Sequence, residues 1–333
     1  MYSIEMTSLS KKFGSVFVIN DITLQVKKNE IFGFLGPNGA GKSTTMMILA
    51  TLLKPTSGIV TINDFNIVSH PEKVREHIGY VQQEITVDEY LTGRENLILQ
   101  SRLNHIPKNV AKERIDEILK LIELENKQND LVITYSGGMR KRLDIAGSLL
   151  HKPKVLFLDE PTVGLDIQTR KKIWEHIKKI RSNFKTTIFL STHYMEEADE
   201  LCDRIAIIEK GKIKVIDSPI TLKKNFGSEI LNIITETNIE SIKSAPEIVH
   251  IKKSVNEMIL KNKTIKISST NCTKILPLLI KSLLKLEIEI DSISMYPPTL
   301  NDVFIKYTGK TIDQENVTYN MKREYRRLRN IKK

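Results

Sequence analysis

Cysteine is nearly absent. The 333-residue chain holds two, Cys202 and Cys272. Two cysteines cannot make a disulfide framework, so a stapled secreted scaffold is excluded, and the usage fits a reducing cytoplasm. Neither they nor the seven histidines recur at metal-ligand spacing, which predicts no structural zinc. Tryptophan occurs once. No stretch approaches the roughly 18 apolar residues that span a bilayer. The longest apolar clusters, IFGFLG and VLFLDEP, have the length of buried strands. The opening residues MYSIEMTSLSKKFG lack an apolar h-region, so no signal peptide is expected. What is present, 40% hydrophobic and 27% charged residues, is the composition of a globular protein. At about 150 residues per domain, the length predicts two domains.

Charge is unevenly spread. Lys and Arg number 51 against 40 Asp and Glu, a net charge of +11. Residues 321–333, MKREYRRLRNIKK, carry seven cations and one acid, Glu324, more than half of the excess. The body is only mildly basic, so no nucleic-acid partner is expected. A charge run of this kind is usually a solvated, partly disordered end. Written as a helix, it also puts Met321, Tyr325 and Leu328 on one side. That pattern allows a weak contact with anionic lipid.

Short strands are predicted in SIEMTSLS, FVIND and ITLQVKK, with Gly14 and Asn20-Asp21 as turns. EIFGFLG (30–36) reads as a buried strand. A glycine-rich loop follows, then a helix through STTMMILATLL that Lys54-Pro55 and Ser57-Gly58 end. GIVTIND is another strand. Residues 84–152 turn helical, with apolar spacing in RIDEILKLIEL. VLFLDEP and TTIFLST read as strands, TRKKIWEHIKKI and MEEADELCD as helices, and RIAIIEKGKIKV as a hairpin. The alternation predicts an α/β fold with a mostly parallel, helix-covered sheet.

Past residue 225 the texture changes. EILNIITETNI, VNEMILKN, TIKISST and IEIDSISMY are predicted strands. TKILPLLIKSLLKLE is an apolar helix, read as a core helix because Pro277, Lys281 and Lys285 interrupt it. In TLNDVFIKY, Leu300, Val303, Phe304 and Tyr307 share one helical face. The expected organisation is a domain at 1–220 with a helical subdomain at 84–152, a small α+β domain at 225–309, and a basic tail at 310–333.

Three motifs carry chemistry. GPNGAGKST (36–44) fits the pattern G-x-x-x-x-G-K-[ST] between a strand and a helix. Gly36, Gly39 and Gly41 let the backbone curl so that N–H groups face phosphate oxygens, and the helix N-terminus adds positive potential. Lys42 is placed to reach the β- and γ-phosphates and Ser43 to bind Mg²⁺. VLFLDE (155–160) ends a buried strand in two carboxylates. Asp159 is placed to hold the Mg²⁺ shell and Glu160 to face the attacking water as general base. A bare Asp-Glu pair is commonly an exposed turn; an upstream phosphate loop favours the functional reading. YSGGM (135–139) opens another amphipathic helix. Ser136, Gly137 and Gly138 can present a second set of N–H donors to phosphate. Two such helix starts with a single phosphate loop suggest use in trans.

In this order the segments resemble the ATP-binding subunit of ABC transporters over residues 1–220. GPNGAGKST resembles the Walker A loop, VLFLDE the Walker B strand and YSGGM the signature motif. IGYVQQE (78–84) resembles the Q-loop with Gln83, and PTVGLD (161–166) the D-loop ending in Asp166. IFLSTHYMEEADELCDRIAIIEKGK resembles the switch strand with His193, and Phe13 the aromatic that stacks on adenine. The resemblance implies a P-loop ATPase core with an antiparallel β subdomain and a helical subdomain. It implies that Gly36, Pro37, Asn38, Gly39, Ala40, Gly41, Lys42, Ser43 and Thr44 wrap the phosphates of ATP. It implies Mg²⁺ at Ser43, Gln83 and Asp159, with Glu160, His193 and Gln83 catalytic. Ser136, Gly137, Gly138 and Asp166 would then face the partner's nucleotide in a homodimer. Tyr135 and Met139 depart from the usual LSGGQ, and Gln82 stands where many relatives have proline.

TYSGGMRKRLDIAGSLL, DEPTVGLD and the ending PPTLNDVFIKYTG narrow the resemblance to daunorubicin-resistance-type, or ABC-2-type, exporter ATPases. Such subunits pair with a separate polytopic permease, which implies a peripheral place on the cytoplasmic face of the membrane. Two rivals remain: a soluble ABC ATPase acting on ribosomes or DNA, and a regulatory ABC module. The first usually carries tandem cassettes, long coiled coils or zinc fingers, none of which is visible. The intact Glu160 argues against the second.

Overall fold

The computed structural model describes residues 1–309, apart from positions 228, 240, 241, 243 and 244. Two compact units divide between Asp217 and Ser218. The sequence reading ended its first domain at 220 and began the second at 225.

The first unit opens with β1 (Tyr2–Phe13) and β2 (Val16–Lys27), a long antiparallel pair. The turn expected at Asn20-Asp21 is not there. β2 runs through both residues, and Asp21 takes a φ of 57° within a series of register shifts. A bulge of this kind bends a strand without ending it. β3 (Ile31–Leu35) is buried throughout and leads into the phosphate loop and α1 (Lys42–Leu49). This helix stops at Leu49, before the Lys54-Pro55 signal, and Thr51 follows at a φ of 61°. β4 (Ser57–Ile62) and β5 (Phe65–Asn66) complete a sheet in the order β2-β1-β4-β5.

After α2 (Pro71–His77) and β6 (Ile78–Val81) comes the helical segment. It holds α3 (Gly93–Leu103), α4 (Lys108–Leu121) and α5 (Gly137–Gly147). A capping box of Thr92 and Glu95 starts α3, satisfying two orphan backbone donors. In α4, Ala111, Ile115, Ile118 and Leu119 are buried at helical spacing. Residues 84–92, which the sequence reading included in the helical stretch, form no helix.

β7 (Val155–Asp159), α6 (Ile167–Phe184), β8 (Thr187–Thr192), α7 (Met195–Leu201), β9 (Arg204–Glu209) and β10 (Lys212–Asp217) follow. The main sheet runs β10-β9-β3-β8-β7-β6, parallel except for β10. Its central strands are apolar runs because helices cover such a sheet on both faces. Phe32, Phe157 and Phe189 pack across β3, β7 and β8, with the Phe32 and Phe189 rings 5.6 Å apart. Loops at the carboxyl ends of such strands are where α/β proteins bind ligands.

The second unit holds α8 (Pro219–Phe226), β11 (Glu229–Thr235), α9 (Pro246–Lys253), β12 (Glu257–Lys261), β13 (Thr264–Ser269), α10 (Cys272–Lys285), β14 (Ile290–Tyr296) and α11 (Leu300–Thr308). Its antiparallel sheet, β12-β13-β11-β14, buries Leu231, Ile233, Ile265 and Ile267 with Leu279 and Leu283 of α10. Thr299 and Asp302 form a capping box on α11, and Lys266 of β13 pairs with Asp302. Leu300, Val303 and Phe304 are buried; Tyr307, the fourth residue of that predicted face, is borderline exposed. Among the described residues no helix is long and apolar enough to cross a membrane.

Candidate functional site

The site forms where β3, β8 and β7 end side by side. The phosphate loop leaves β3 at Gly36, where a Cβ would lie 2.6 Å from the Ile208 carbonyl oxygen. Gly41 stands before α1 at a φ of 105°, and a Cβ there would lie 2.8 Å from the Val18 carbonyl oxygen. Both glycines are required by close backbone approach, and Gly41 also by its left-handed conformation. The first N–H groups of α1 have no carbonyl partner within the helix, so the turn is built to hold an anion.

Lys42 is 4% exposed, and its Nζ donates to the carbonyl oxygens of Gly36 at 2.8 Å and Pro37 at 3.2 Å. It also lies 3.1 Å from Glu160 Oε1. His193 Nδ1 sits 3.2 Å from the other carboxylate oxygen, Oε2. Burial pushes the Glu160 carboxyl up, but His193 and Lys42 more than offset it and bring it to about 2. Burial lowers Lys42, opposed mainly by Glu160. Glu160 adopts a φ of 47°, a left-handed conformation uncommon for a non-glycine residue. Its N–H donates to Ser191, to the carbonyl at 3.2 Å and to Oγ at 3.1 Å.

Asp159 ends β7. Its Oδ1 accepts from Ser191 Oγ, and from Ser43 Oγ at 3.3 Å. Burial raises its carboxyl above the usual range despite these hydroxyls. A buried carboxylate beside a serine hydroxyl, both oxygen donors, fits a hard cation such as Mg²⁺, which takes few protein ligands and keeps phosphate and water oxygens.

The other sequence-predicted residues lie as follows. Pro37 and Ala40 are buried, Asn38 and Thr44 half-buried, and Gly39 exposed with a φ of 82°. Phe13 is 48% exposed, with the Lys11 ammonium 5.0 Å above its ring. The Gln83 side chain is exposed and makes no polar contact with Ser43 or Asp159 among the described residues. Ser136 caps α5, accepting from the Met139 N–H at 3.3 Å. Ser136 and Gly137 are exposed; Gly138 is buried. Asp166 caps α6, accepting from Thr169 N at 2.9 Å and Thr169 Oγ1 at 2.6 Å, and these bonds lower its carboxyl.

Some residues that build the site escaped the sequence reading. Ser191 ties Asp159 to the Glu160 backbone; its place two residues before His193, at the end of a buried strand, was the available signal. Glu197 is fully buried and accepts from Thr162 Oγ1 at 2.8 Å and Trp174 Nε1 at 3.0 Å. Tyr135, a departure from the usual signature leucine, is buried and its hydroxyl donates to the Lys127 carbonyl.

A strand, a glycine loop with a buried lysine, and a strand-end carboxylate pair on a parallel sheet define a P-loop nucleoside triphosphatase. The family described as "ABC transporter" matches residues 19–163, and "ATP-binding protein DrrA1-3-like, C-terminal domain" matches 218–308. The linearmycin resistance ATP-binding protein LnrL of Bacillus subtilis is 34% identical, over 93% of this chain and 99% of its own length. The daunorubicin/doxorubicin resistance ATP-binding protein DrrA of Streptomyces peucetius is 41% identical, over 69% of this chain and 70% of its own. The ATP-binding cassette MJ0796, a dimer bound to ADP and Pi in a post-hydrolysis state, is 28% identical, with a TM-score of 0.58. That match covers 65% of this chain and 98% of MJ0796. The chain therefore belongs to the ABC transporter ATP-binding proteins, in the group with a DrrA-like C-terminal domain, and it is an ATPase of that family.

Proposed function

We propose that this ATPase is the motor of a two-component exporter. It closes as a homodimer around ATP and drives a separate polytopic permease from the cytoplasmic face of the membrane. The observation that carries the reading is the convergence of Lys42, Ser43, Asp159, Glu160 and His193 at the carboxyl ends of β3, β8 and β7. The exposed Ser136-Gly137 start of α5 supports the dimer, as does the dimeric MJ0796 cassette. The resistance names of LnrL and DrrA support a drug, lipid or similar cargo. The basic tail, with its proposed weak contact to anionic lipid, lies outside the described residues.

Phosphoryl transfer from ATP to water is mostly positioning and charge stabilisation. The first N–H groups of α1 and the Lys42 ammonium hold the β- and γ-phosphates. An ammonium that turns to a phosphate releases Glu160 Oε1, while Oε2 stays beside His193. Losing the ammonium removes one of the two partners that hold the Glu160 carboxyl low, His193 being the other, and leaves Oε1 free to face water. Mg²⁺, when bound, would neutralise charge on the phosphate oxygens, with Ser43 and Asp159 holding it and Gln83 assigned to join them. Ser136, Gly137, Gly138 and Asp166 are assigned to the partner's nucleotide, and Phe13 to adenine.

Glu160→Gln tests this. It removes the base and leaves the phosphate cradle. Turnover should fall by about 100-fold or more while ATP binding persists. Size-exclusion chromatography should show a dimer with ATP and a monomer without it. Hydrolysis at the parent rate would remove Glu160 as base; a monomer in ATP would sink the sandwich.

A further inference from the structure

The chain holds a second buried ammonium outside the phosphate loop. Lys141, on α5, is 3% exposed. Its Nζ donates to the carbonyl oxygens of Gln82 at 2.6 Å and Gln83 at 3.3 Å. Asp144, nearly one turn along α5, approaches the same Nζ at 3.7 Å through Oδ2. Asp144 Oδ1 accepts from Thr86 Oγ1 at 2.6 Å and from Thr86 N at 3.4 Å. One turn of α5 thus grips the chain on both sides of Glu84-Ile85.

The loop has little else to hold it. β6 ends at Val81, and residues 82–86 are exposed and belong to no helix or strand. An ordinary i,i+3 ion pair sits on the outside of a helix, where water screens it. This pair is buried and aimed at loop carbonyls: the ammonium donates to two of them, and Asp144 Oδ2 faces it at 3.7 Å as an ion-pair neighbour. Burial lowers Lys141 and raises Asp144, each opposed by the other. Breaking one partner of a buried pair leaves the other uncompensated, so the arrangement holds one loop position firmly. Lys141 also stands one helical turn from Gly137, at the end of α5 that opens with Ser136. A rigid helix carries a displacement of that end directly to Lys141.

We propose that Lys141 and Asp144 form a latch that positions Gln83, so that α5 couples the Ser136-Gly137 end, facing one nucleotide, to the loop serving the other. The coupling between nucleotides rests on the proposed dimer; the positioning of Gln83 does not. Lys141 acts through the loop backbone and is a positioning residue.

The test uses the full chain and Mg-ATP. Lys141→Met keeps the apolar stem and removes the charge and donors. Its kcat should fall about ten-fold, because small misplacements of reacting groups are costly, with KM for ATP unchanged within about two-fold. Lys141→Arg keeps charge and donors and should recover much of the loss. Thr86→Val cuts the other end of the latch and should lower kcat about three-fold at constant KM. Emission of Trp174, the single tryptophan, reports folding. A parent kcat in Lys141→Met overturns the proposal, as does an Arg variant no more active than the Met variant. If Lys141→Met does not fold, a parent kcat in Thr86→Val overturns it. In a Glu160→Gln background, Lys141→Met should weaken the ATP-dependent dimer; an unchanged dimer removes the coupling between nucleotides. A Glu160→Gln parent that stays monomeric in ATP counts against the dimer alone, and the kcat loss with Arg recovery still tests the latch.

Discussion

The Lys42 ammonium lies 3.1 Å from Glu160 Oε1, with both side chains almost wholly buried. The residue assigned to phosphate and the residue assigned to water thus neutralise each other. In the proposed mechanism, a phosphate that claims Lys42 would also free Glu160.

The pair has a pH signature. Glu160 sits at about 2 in the folded chain against an ordinary 4.5. A depressed carboxylate contributes stability that is fully present above its unfolded value and is lost as pH falls through the folded one. Without nucleotide, urea midpoints of the parent should therefore fall more steeply than those of Glu160→Gln between about pH 4.5 and pH 2. Parallel curves would show that the ion pair contributes nothing.

Gly138 lies against α6: a Cβ there would stand 2.3 Å from Thr169 Cγ2. Thr169 is held by two bonds to Asp166 and cannot turn away freely. Gly138→Ala should cost about 1–3 kcal/mol of stability through overpacking. Thr169→Ser, which deletes that methyl, should recover part of it in the double variant. Gly137 has room, its nearest neighbour being Leu165 Cδ2 at 3.5 Å. Gly137→Asp should leave monomer stability within about 0.5 kcal/mol, since an acid suits the first turn of a helix. It should nevertheless abolish ATP-dependent dimerisation in a Glu160→Gln background. Dimerisation at the parent level would remove α5 from the partner's phosphate.

Ser191→Ala removes a hydroxyl that donates to Asp159 and accepts from the Glu160 N–H. Among the described residues Asp159 then keeps only Ser43 as a hydroxyl donor. The Mg²⁺ concentration giving half-maximal ATPase should rise about ten-fold, as for other residues that orient a ligand. Titration of ATPase against Mg²⁺ checks this, and an unchanged midpoint would leave Ser191 with a packing role only.

Tyr135→Phe deletes the hydroxyl that donates to the Lys127 carbonyl. It should lower stability by at most about 1 kcal/mol, the net worth of one hydrogen bond, because the exposed Lys127 carbonyl keeps the Asp130 N–H at 3.0 Å. Denaturant midpoints measure it; an unchanged midpoint would show that water replaces the bond.

Much of the fold was legible because buried parallel strands leave plain marks. β3, β7 and β8 are short apolar runs, and the phosphate loop sits between a strand and a helix. The misreadings were local. Asn20-Asp21 carries turn chemistry, yet β1 pairs along the whole of β2, and tertiary pairing turned a break into a bulge. α1 ended early because Thr51 took a left-handed conformation that no glycine or proline announces.

The sequence by itself determined the motif residues and their order, since phosphate binding demands glycine, lysine and hydroxyl at fixed spacing. Tertiary structure decided which of them meet. Lys42 and Glu160 are far apart in the chain and touch because β8 carries the sheet from β3 to β7. The same closure sets Ser191 between Asp159 and Glu160, presses Gly138 on Thr169, and brings Lys141 to the carbonyls of Gln82 and Gln83. These are contacts between elements, made by packing and burial over long sequence separations, and no local spacing encodes them.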